Sequence, residues 1–350
     1  MLAGVLMFAR DLEGGTNMNT QTQGADSSKK EIEHTCRLCH TKANRTSHLV
    51  REMMFGLDQS FTYFECDSCN CLQIDKIPED MSPYYPSNYY SLAQRACTKP
   101  PWFLQLWNRA CSTFSLKGPN HWLPSVKHRE IYGWLKLAGV TFKSSILDVG
   151  CGSGALLLRL RNDGFSDLTG YEPHIPTPLN YDGGLNVHND LDQIQKAFDL
   201  VMLHHSLEHM PDQHVAFERL SRWVKPGGML LLRIPVFPNA AWDEFGVHWF
   251  QLDAPRHFYL HSVESLDLVA NRAGFERVNV TFDSKGSQFW GSEQYRRGIT
   301  HREPTSHAES PEDSIFSAEQ LKEYDRKSVA ANQNNHGDSA CFIYQKASGT

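Results

Sequence analysis

Two Cys-x-x-Cys pairs near the start of the printed sequence supply four thiols at metal-binding spacing: Cys36, Cys39, Cys66 and Cys69. The 26 residues between the pairs predict a structural zinc site of the ribbon type, in which four thiolates close a tetrahedron and leave no open position. His40 and Cys71 lie beside the pairs and are alternative ligands. Redox chemistry is the second interpretation, and it is disfavoured because neither pair opens a thioredoxin-like helix.

A glycine-rich turn, Gly150-Cys-Gly-Ser-Gly154, follows an apolar strand that ends near Asp148 and leads directly into a helical pattern. Such glycines let the backbone approach a ligand closely, at the strand ends where open α/β sheets bind ligands. The G-x-G-x-G spacing, with no Gly-Lys-Ser/Thr after it, disfavours a phosphate or pyrophosphate cradle. A tight strand–helix turn without any ligand is the alternative.

Two acidic residues end the next two predicted strands of the chain. Glu172 is placed where a carboxylate can accept hydrogen bonds from both hydroxyls of a ribose. Asp190 follows the third strand, where it can take an adenine amino group. Together with the glycine turn, these acids predict a site for a nucleoside-containing ligand.

A histidine-rich segment, His204-His-Ser-Leu-Glu-His209, follows the fourth predicted strand. On a helical turn His205, Glu208 and His209 share a face, because residues three and four apart are neighbours. Such side chains serve either as a general base or as ligands of a divalent metal. The alternative is that Glu208 and His209 only orient the loop. A zinc-peptidase H-x-x-E-H motif is disfavoured because no long host helix is predicted.

The elements that must position these residues alternate between strands and helices from Ser145 onward. The predicted strands are SILDVG, DLTGYEP, LNVHND, FDLVMLHH, MLLLRIPV and ERVNVTFDS, with ACFIYQK at 340–346 as a last candidate. The helices between them include SVESLDLVANRAGF, which Ser262 caps and Gly274 ends. This alternation predicts an α/β fold, with a parallel-dominated sheet and helices on both faces.

Length and composition predict one large domain with additions. The 350 residues exceed the usual span of one domain, so we expect one of about 200–250 residues plus extra segments. The net charge of −6, with four basic and four acidic residues between His34 and Ile74, disfavours nucleic acid as a partner. No apolar run reaches the roughly 18–20 residues of a membrane span. The N-terminus lacks a basic region before its short apolar stretch, so we expect a soluble, cytoplasmic protein without a membrane partner.

Four regions are predicted along the chain. They are a disordered tail (1–33), a zinc-ribbon-like module (34–75), an aromatic connector (76–124) and an α/β domain (125–347) with an insertion at 286–338. The connector holds PYYPSNYY (83–90) and PWFLQLW (101–107), which are expected to pack against the larger body. The insertion is predicted to be polar and partly flexible, with one helical stretch. Near Ser125 a helical pattern begins whose apolar side comprises Val126, Ile131, Trp134, Leu135 and Leu137.

The motifs LDVGCGSG, YEP, ND, FDLVMLHHSLEHMPD and VKPGGMLLLRIP, in this order, resemble those of class I S-adenosylmethionine-dependent methyltransferases. The resemblance covers residues 125–285 and 340–346 and implies a Rossmann-like sheet of seven strands, six parallel and the seventh antiparallel. It also implies that Glu172 binds the ribose and that Asp190 lies near the adenine. The implied S-adenosylmethionine-binding set is Asp148, Gly150, Cys151, Gly152, Gly154, Glu172, Asp190, Leu191 and His204.

The histidine-rich segment is also similar to the ExxEH pattern of metal-dependent O-methyltransferases of ubiquinone biosynthesis and of small-RNA 3′ ends, with His205 in place of the first Glu. Pro-Arg-His257 resembles a further histidine position of those enzymes. The resemblance implies that His205, Glu208, His209 and His257 surround the acceptor, as a general-base cluster or as a second, divalent metal site. Imidazole in place of a carboxylate favours Zn, Mn or Fe over Mg.

A CxxC…CxxC module before a class I domain is similar to bacterial methyltransferases of sugar, polysaccharide and natural-product pathways. This resemblance implies methyl transfer to a small-molecule or sugar/glycan-precursor acceptor, at a hydroxyl, in a biosynthetic pathway. RNA or protein methylation and a non-catalytic, S-adenosylmethionine-binding regulatory protein are the alternatives. Trp242, Trp249 and Phe250 either offer stacking faces to a sugar or pack in the core. The sequence makes no prediction of oligomeric state.

Overall fold

The computed structural model describes residues 34–43, 46–85, 100–117, 129–182 and 184–348. The predicted tail over 1–33 lies outside the described residues, as do part of the first aromatic island and the start of the helix predicted from Ser125. Within the described ranges, no helix is long and apolar enough to cross a membrane.

Strands and helices alternate through most of the described chain. The strands are β1 (His34–Thr35), β2 (Lys42–Ala43), β3 (Ser47–Arg51), β4 (Ser60–Glu65), β5 (Leu72–Ile74), β6 (Ile146–Val149), β7 (Leu168–Tyr171), β8 (Leu179–Tyr181), β9 (Leu185–His188), β10 (Phe198–His204), β11 (Val224–Pro235), β12 (Tyr259–Leu260), β13 (Phe275–Phe282) and β14 (Ser339–Lys346). The helices are α1 (Trp102–Lys117), α2 (Arg129–Leu137), α3 (Ala155–Asn162), α4 (Gln213–Trp223), α5 (Ala240–Phe245), α6 (Val263–Arg272), α7 (Ser287–Arg296) and α8 (Ala318–Gln333).

The central sheet has the order β13-β14-β11-β10-β6-β7-β9-β8. Its strands β6, β7, β9, β10 and β11 pair in parallel, whereas β14 runs antiparallel between β11 and β13. This arrangement confirms the predicted α/β, Rossmann-like sheet with one reversed strand. The structure adds β8, a short strand antiparallel to β9, whose three partly exposed residues carry no continuous apolar pattern.

The cysteine-bearing module does not form a separate core. Its sheet has the order β12-β5-β4-β3, and β12 comes from the α/β domain, where Tyr259 and Leu260 pair with Gln73 and Leu72. The buried side chains of the module and of the larger domain form one continuous apolar cluster. A two-residue strand gives no periodic signal, which explains why the sequence pattern does not predict this pairing.

Three further local predictions differ from the structure. The second aromatic island starts α1, and Trp102, Phe103 and Trp107 are exposed rather than packed. In α2 the predicted apolar side includes Leu137, which is exposed. The segment 286–338 contains two helices, α7 and α8, instead of one. The buried residues of α7 are largely polar, among them Gln288, so a hydrophobic periodicity does not reveal this helix.

Candidate active site

The glycine turn between β6 and α3 adopts a conformation that favours glycine. Gly150, Gly152 and Gly154 have φ values of 77°, 55° and 77°, in the left-handed region where other residues are strained. A Cβ on Gly150 would lie 2.5 Å from the Cβ of Ser206. Ser206 in turn donates a hydrogen bond to the Val149 carbonyl at 2.9 Å. The glycine turn and the histidine-rich segment therefore pack directly on each other.

Glu172 holds the glycine turn through its carboxylate. One oxygen accepts a hydrogen bond from the Gly152 amide at 2.9 Å, and the other accepts one from the His174 amide at 3.1 Å. The side chain is buried at the end of β7, as the sequence predicts. Asp148 is buried nearby, and burial together with the charge of Glu172 raises its pKa to about 7. A buried carboxylate beside a second carboxyl group is suited to a cationic ligand.

Asp190, Cys151 and His204 of the predicted cofactor set lie on different elements. Asp190 is exposed and caps the short turn Leu191–Gln193, accepting a hydrogen bond from the Asp192 amide at 3.0 Å. Cys151 packs against β7, where its Sγ would lie 2.7 Å from a Cβ on Gly170. His204 ends β10, and burial and then Arg233 lower its pKa to about 3, so its imidazole is neutral at pH 7.

Three of the four residues predicted at the acceptor come together. Ligand atoms of Glu208, His209 and His257 all lie within 4.8 Å of one another. Nδ1 of His209 lies 2.8 Å from the Arg256 carbonyl oxygen, and Nδ1 of His257 lies 2.7 Å from the Gln251 carbonyl oxygen. When each Nδ1 carries the proton and donates it, Nε2 is free as a metal ligand.

Glu208 is the buried acid of this group. Its side chain is 0% exposed, and neither carboxylate oxygen has a hydrogen-bond partner among the described residues. A buried carboxylate without partners is costly. Burial opposes ionisation, but the imidazoles of His205, His209 and His257 outweigh it and lower the pKa to about 2. The charge, the burial and the missing partners together fit a bound cation.

His205, the fourth predicted residue, has a different position. Its Nδ1 lies 3.4 Å from a Glu208 oxygen, and its Nε2 contacts the guanidinium of Arg233. Because the guanidinium can only donate, this Nε2 is an acceptor and Nδ1 carries the proton. His205 thus turns its protonated Nδ1 toward Glu208 without a hydrogen bond of normal geometry, and it lies outside the group whose ligand atoms converge.

A cavity of about 450 Å³ opens beside these residues. Its lining is mostly polar and comprises Met54, His205, His209, Arg233, Phe250, Gln251, Asp253, His257, Asp283, Ser284, Lys285, Ser287, His301, Arg302, Asp338 and Ser339. Burial raises the pKa of Asp338 to about 6, and Asp283 pairs with Arg233 at 2.6 Å. The sequence analysis missed Arg233, Asp253 and Asp338, which come from separate elements and share no motif.

The aromatic residues proposed as stacking faces divide into two groups. Phe250 lines the cavity. Trp249 is fully buried and donates a hydrogen bond to Asp338 at 3.1 Å. Trp242 packs edge-on against Phe237 and Trp249. Of the three, Phe250 alone lies in the cavity lining, and the two tryptophans pack beneath it.

The four cysteines of the predicted ribbon converge at one point. The Sγ atoms of Cys36 and Cys69 are 3.7 Å apart, and those of Cys39 and Cys66 are 3.5 Å apart. Sulfurs on a tetrahedral zinc with Zn–S bonds of about 2.3 Å would be about 3.8 Å apart. The side chain of Gln73 donates to the Cys36 sulfur at 3.1 Å, as expected next to a thiolate. The cluster is compatible with a zinc site.

Comparisons with known proteins agree with this geometry. Residues 121–280 match the protein family described as a methyltransferase domain. A ubiquinone biosynthesis O-methyltransferase from Yersinia pestis (strain Pestoides F) is 32% identical over 106 residues, which cover 27% of this chain and 43% of the relative. This chain therefore spans less than half the length of that curated relative.

Two solved structures align with part of the chain. The cyclopropane synthase MmaA2 from Mycobacterium tuberculosis is 18% identical, with 66% of this chain and 88% of that chain covered and a TM-score of 0.42. A SAM-dependent methyltransferase from Archaeoglobus fulgidus is 17% identical, with 68% and 99% covered and a TM-score of 0.37.

Residues 121–280 therefore match a methyltransferase domain, and the sheet to which they contribute is Rossmann-like. The family match supports the predicted enzyme class, the S-adenosylmethionine-dependent methyltransferases.

Proposed function

We propose that the chain transfers the methyl group of S-adenosylmethionine to a hydroxyl of a polar small molecule or of a sugar or glycan precursor. One observation carries the proposal. Glu208, His209 and His257 converge beside a polar cavity, and their loop packs on the glycine turn through Ser206 and Gly150. A donor held at the turn and an acceptor held in the cavity are thereby brought next to each other.

The residues of the cofactor side fit S-adenosylmethionine. Glu172 presents a buried carboxylate for the ribose hydroxyls, and Asp148 offers a second carboxyl to the cationic methionine part. S-adenosylmethionine supplies an already activated methyl group on a sulfonium. The chain therefore has to align the acceptor, exclude water and take up the proton of the acceptor hydroxyl.

The acceptor side fits a divalent cation, because three ligand atoms converge there and a general base needs only one residue. The neighbouring imidazoles lower the pKa of Glu208 to about 2, and burial lowers that of His257 to about 4. The same values keep Glu208 ionised and His257 neutral, the forms that bind metals. A cation held by Glu208, His209 and His257 would act as a Lewis acid and lower the pKa of the acceptor hydroxyl. The two imidazoles favour Zn, Mn or Fe over Mg.

The cavity lining supports a polar acceptor. Carboxylates, imidazoles, serine hydroxyls and cationic side chains surround it, whereas Met54 and Phe250 are the apolar members of the lining. Hydroxyl-rich molecules satisfy such groups by hydrogen bonds, while an apolar acceptor would leave them desolvated and unpaired. The face of Phe250 suits the C–H side of a sugar ring.

The metal site proposed at the four cysteines is structural. We infer that Cys36, Cys39, Cys66 and Cys69 bind one zinc ion, which holds the knuckles of the ribbon together. A closed set of four thiolates leaves no position for substrate, so this site takes no direct part in methyl transfer.

A transfer screen tests the proposal. The full chain is incubated with Mn²⁺ and S-adenosylmethionine labelled in the methyl group, against free sugars, sugar nucleotides, catechols, RNA and a protein mixture. We expect label on a hydroxylated small molecule. Label on RNA or protein would contradict the proposed acceptor class. Binding of S-adenosylmethionine with no transfer to any of these would favour a regulatory protein instead.

A further inference from the structure

The short segment Arg256–Phe258, which carries His257, is bonded on two sides. Toward the acceptor loop, the Phe258 amide donates to the Glu208 carbonyl at 2.8 Å, and the Arg256 carbonyl lies 2.8 Å from Nδ1 of His209. Toward the cysteine module, the Ile74 amide donates to the Phe258 carbonyl at 3.0 Å. The segment therefore connects the module with two of the proposed metal ligands and contains the third.

A tyrosine of the module fixes the backbone of His257 itself. Tyr63, on β4, donates its hydroxyl to the His257 carbonyl at 2.7 Å. Its side chain is 0% exposed, and burial raises its pKa well above the usual value, so the hydroxyl keeps its proton. The other anchor of His257, Nδ1 to the Gln251 carbonyl, fixes the ring. Together the two bonds determine where Nε2 points.

A buried ion pair anchors the residue before His257. Arg256 is 0% exposed and lies 3.1 Å from a carboxylate oxygen of Glu52, which is also 0% exposed. Glu52 in addition accepts backbone hydrogen bonds from Met54, Phe55 and Leu57 within its own loop. Arg256 also pairs with Asp253 at 2.5 Å, so the arginine keeps a charged partner when Glu52 is neutralised. Through its bonds to Arg256 and to its own loop, Glu52 ties the loop after β3 to the segment that carries His257.

We propose that the cysteine module is an integral wall of the acceptor site, with Tyr63 and Glu52 as positioning residues for His257. The inference rests on the proposed divalent site at Glu208, His209 and His257. Tyr63 and Glu52 do not touch the cation. Tyr63 holds the His257 carbonyl and Glu52 holds the side chain of the preceding residue, Arg256. Together they set the distance from the His257 imidazole to Glu208.

Tyr63→Phe tests the proposal, because it removes one hydroxyl from a fully buried site and leaves the ring. Removal of a group that hydrogen-bonds to a metal ligand weakens metal affinity by about 10–100-fold. We expect the affinity for Mn²⁺ to fall by a factor in this range. Affinity is measured on the full chain carrying one zinc ion, at the four cysteines, with the divalent site left free of zinc. This zinc-loaded chain is titrated with Mn²⁺ and followed by electron paramagnetic resonance. Tyr344→Phe is the matched control, since Tyr344 is equally buried and its hydroxyl donates to Asp267 at 2.8 Å. The control is expected to bind Mn²⁺ like the wild type.

A double-mutant cycle separates positioning from general destabilisation. In a His257→Ala background, Tyr63→Phe is expected to cause no further loss of Mn²⁺ affinity, because the residue that it positions is gone. Glu52→Gln is the second variant and is expected to show the same dependence on His257. Affinity for S-adenosylmethionine is expected to stay unchanged in all these variants.

The outcomes are distinct. If the wild type binds Mn²⁺ and Tyr63→Phe and Glu52→Gln bind it equally well, the inference fails while the proposed function stands. Equal losses with and without His257 would also overturn the inference. If the zinc-loaded wild type binds no Mn²⁺, both the divalent site and the inference are wrong.

Discussion

Replacing Glu172 with glutamine probes the cofactor side with little change in shape. The carboxylate is buried and accepts hydrogen bonds from the Gly152 and His174 amides. Glutamine keeps one acceptor oxygen for these amides but removes the negative charge. In the proposed complex the same carboxylate accepts two further hydrogen bonds from the ribose hydroxyls.

The expected size of the effect follows from the loss of charge. Hydrogen bonds to a charged group contribute about 1.5–3 kcal/mol, and neutral ones about 0.5–1.5 kcal/mol. For two bonds the loss is about 2–3 kcal/mol, which corresponds to a roughly 30- to 150-fold weaker affinity for S-adenosylmethionine. Glu172→Ala would remove more affinity, but it would also leave two backbone amides unpaired and lower the stability of the turn.

Titration calorimetry with S-adenosylmethionine measures the change, and urea unfolding shows that the variant is folded. Glu276→Gln, at an exposed position on β13, is the control for loss of one charge and is expected to bind normally. An affinity of folded Glu172→Gln within about twofold of the wild type would refute the placement of the ribose at Glu172.

Three further predictions concern the zinc site, the glycine turn and the release of a proton on ligand binding. Cys36→Ser should release about one zinc per chain and destabilise the module, because folding and metal binding are coupled; unchanged zinc content by metal analysis would contradict this. Gly150→Ala should lower the free energy of unfolding by about 2–5 kcal/mol, from left-handed strain and the clash with Ser206. The double variant Gly150→Ala/Ser206→Gly should regain the part of the free energy of unfolding that is lost to the clash. A double variant that is as unstable in urea as Gly150→Ala would contradict the contact. Burial and the charge of Glu172 raise the pKa of Asp148 to about 7, so the free protein holds part of a proton there near pH 7, and a cationic ligand should expel it. Calorimetric enthalpies that do not vary between buffers would contradict this expectation.

The sequence predicts the glycine turn and the elements that flank it well because each of these parts is local. Strand β6, the glycine turn and α3 are continuous in the chain, and Glu172 follows the next strand directly. The acceptor side is predicted only in part, since His209 and His257 can be expected from motifs but their convergence depends on a loop that crosses to the cysteine module. Arg233 lies on β11 and Asp338 directly precedes β14, and neither residue belongs to a local sequence pattern. The pairing of β12 with β5 involves only two residues on each strand and is determined by tertiary packing, so no local sequence pattern predicts it.

The most direct test of the central claim compares methyl transfer by the wild type and by Glu208→Gln, with labelled S-adenosylmethionine, Mn²⁺ and the acceptor found in the screen. Glutamine has nearly the same size but lacks the charge that the proposed cation requires. We predict a methyl ether on the acceptor with the wild type, and a loss of at least about 100-fold with the variant, while both bind S-adenosylmethionine equally. Equal rates of methyl ether formation by the two proteins would contradict the account.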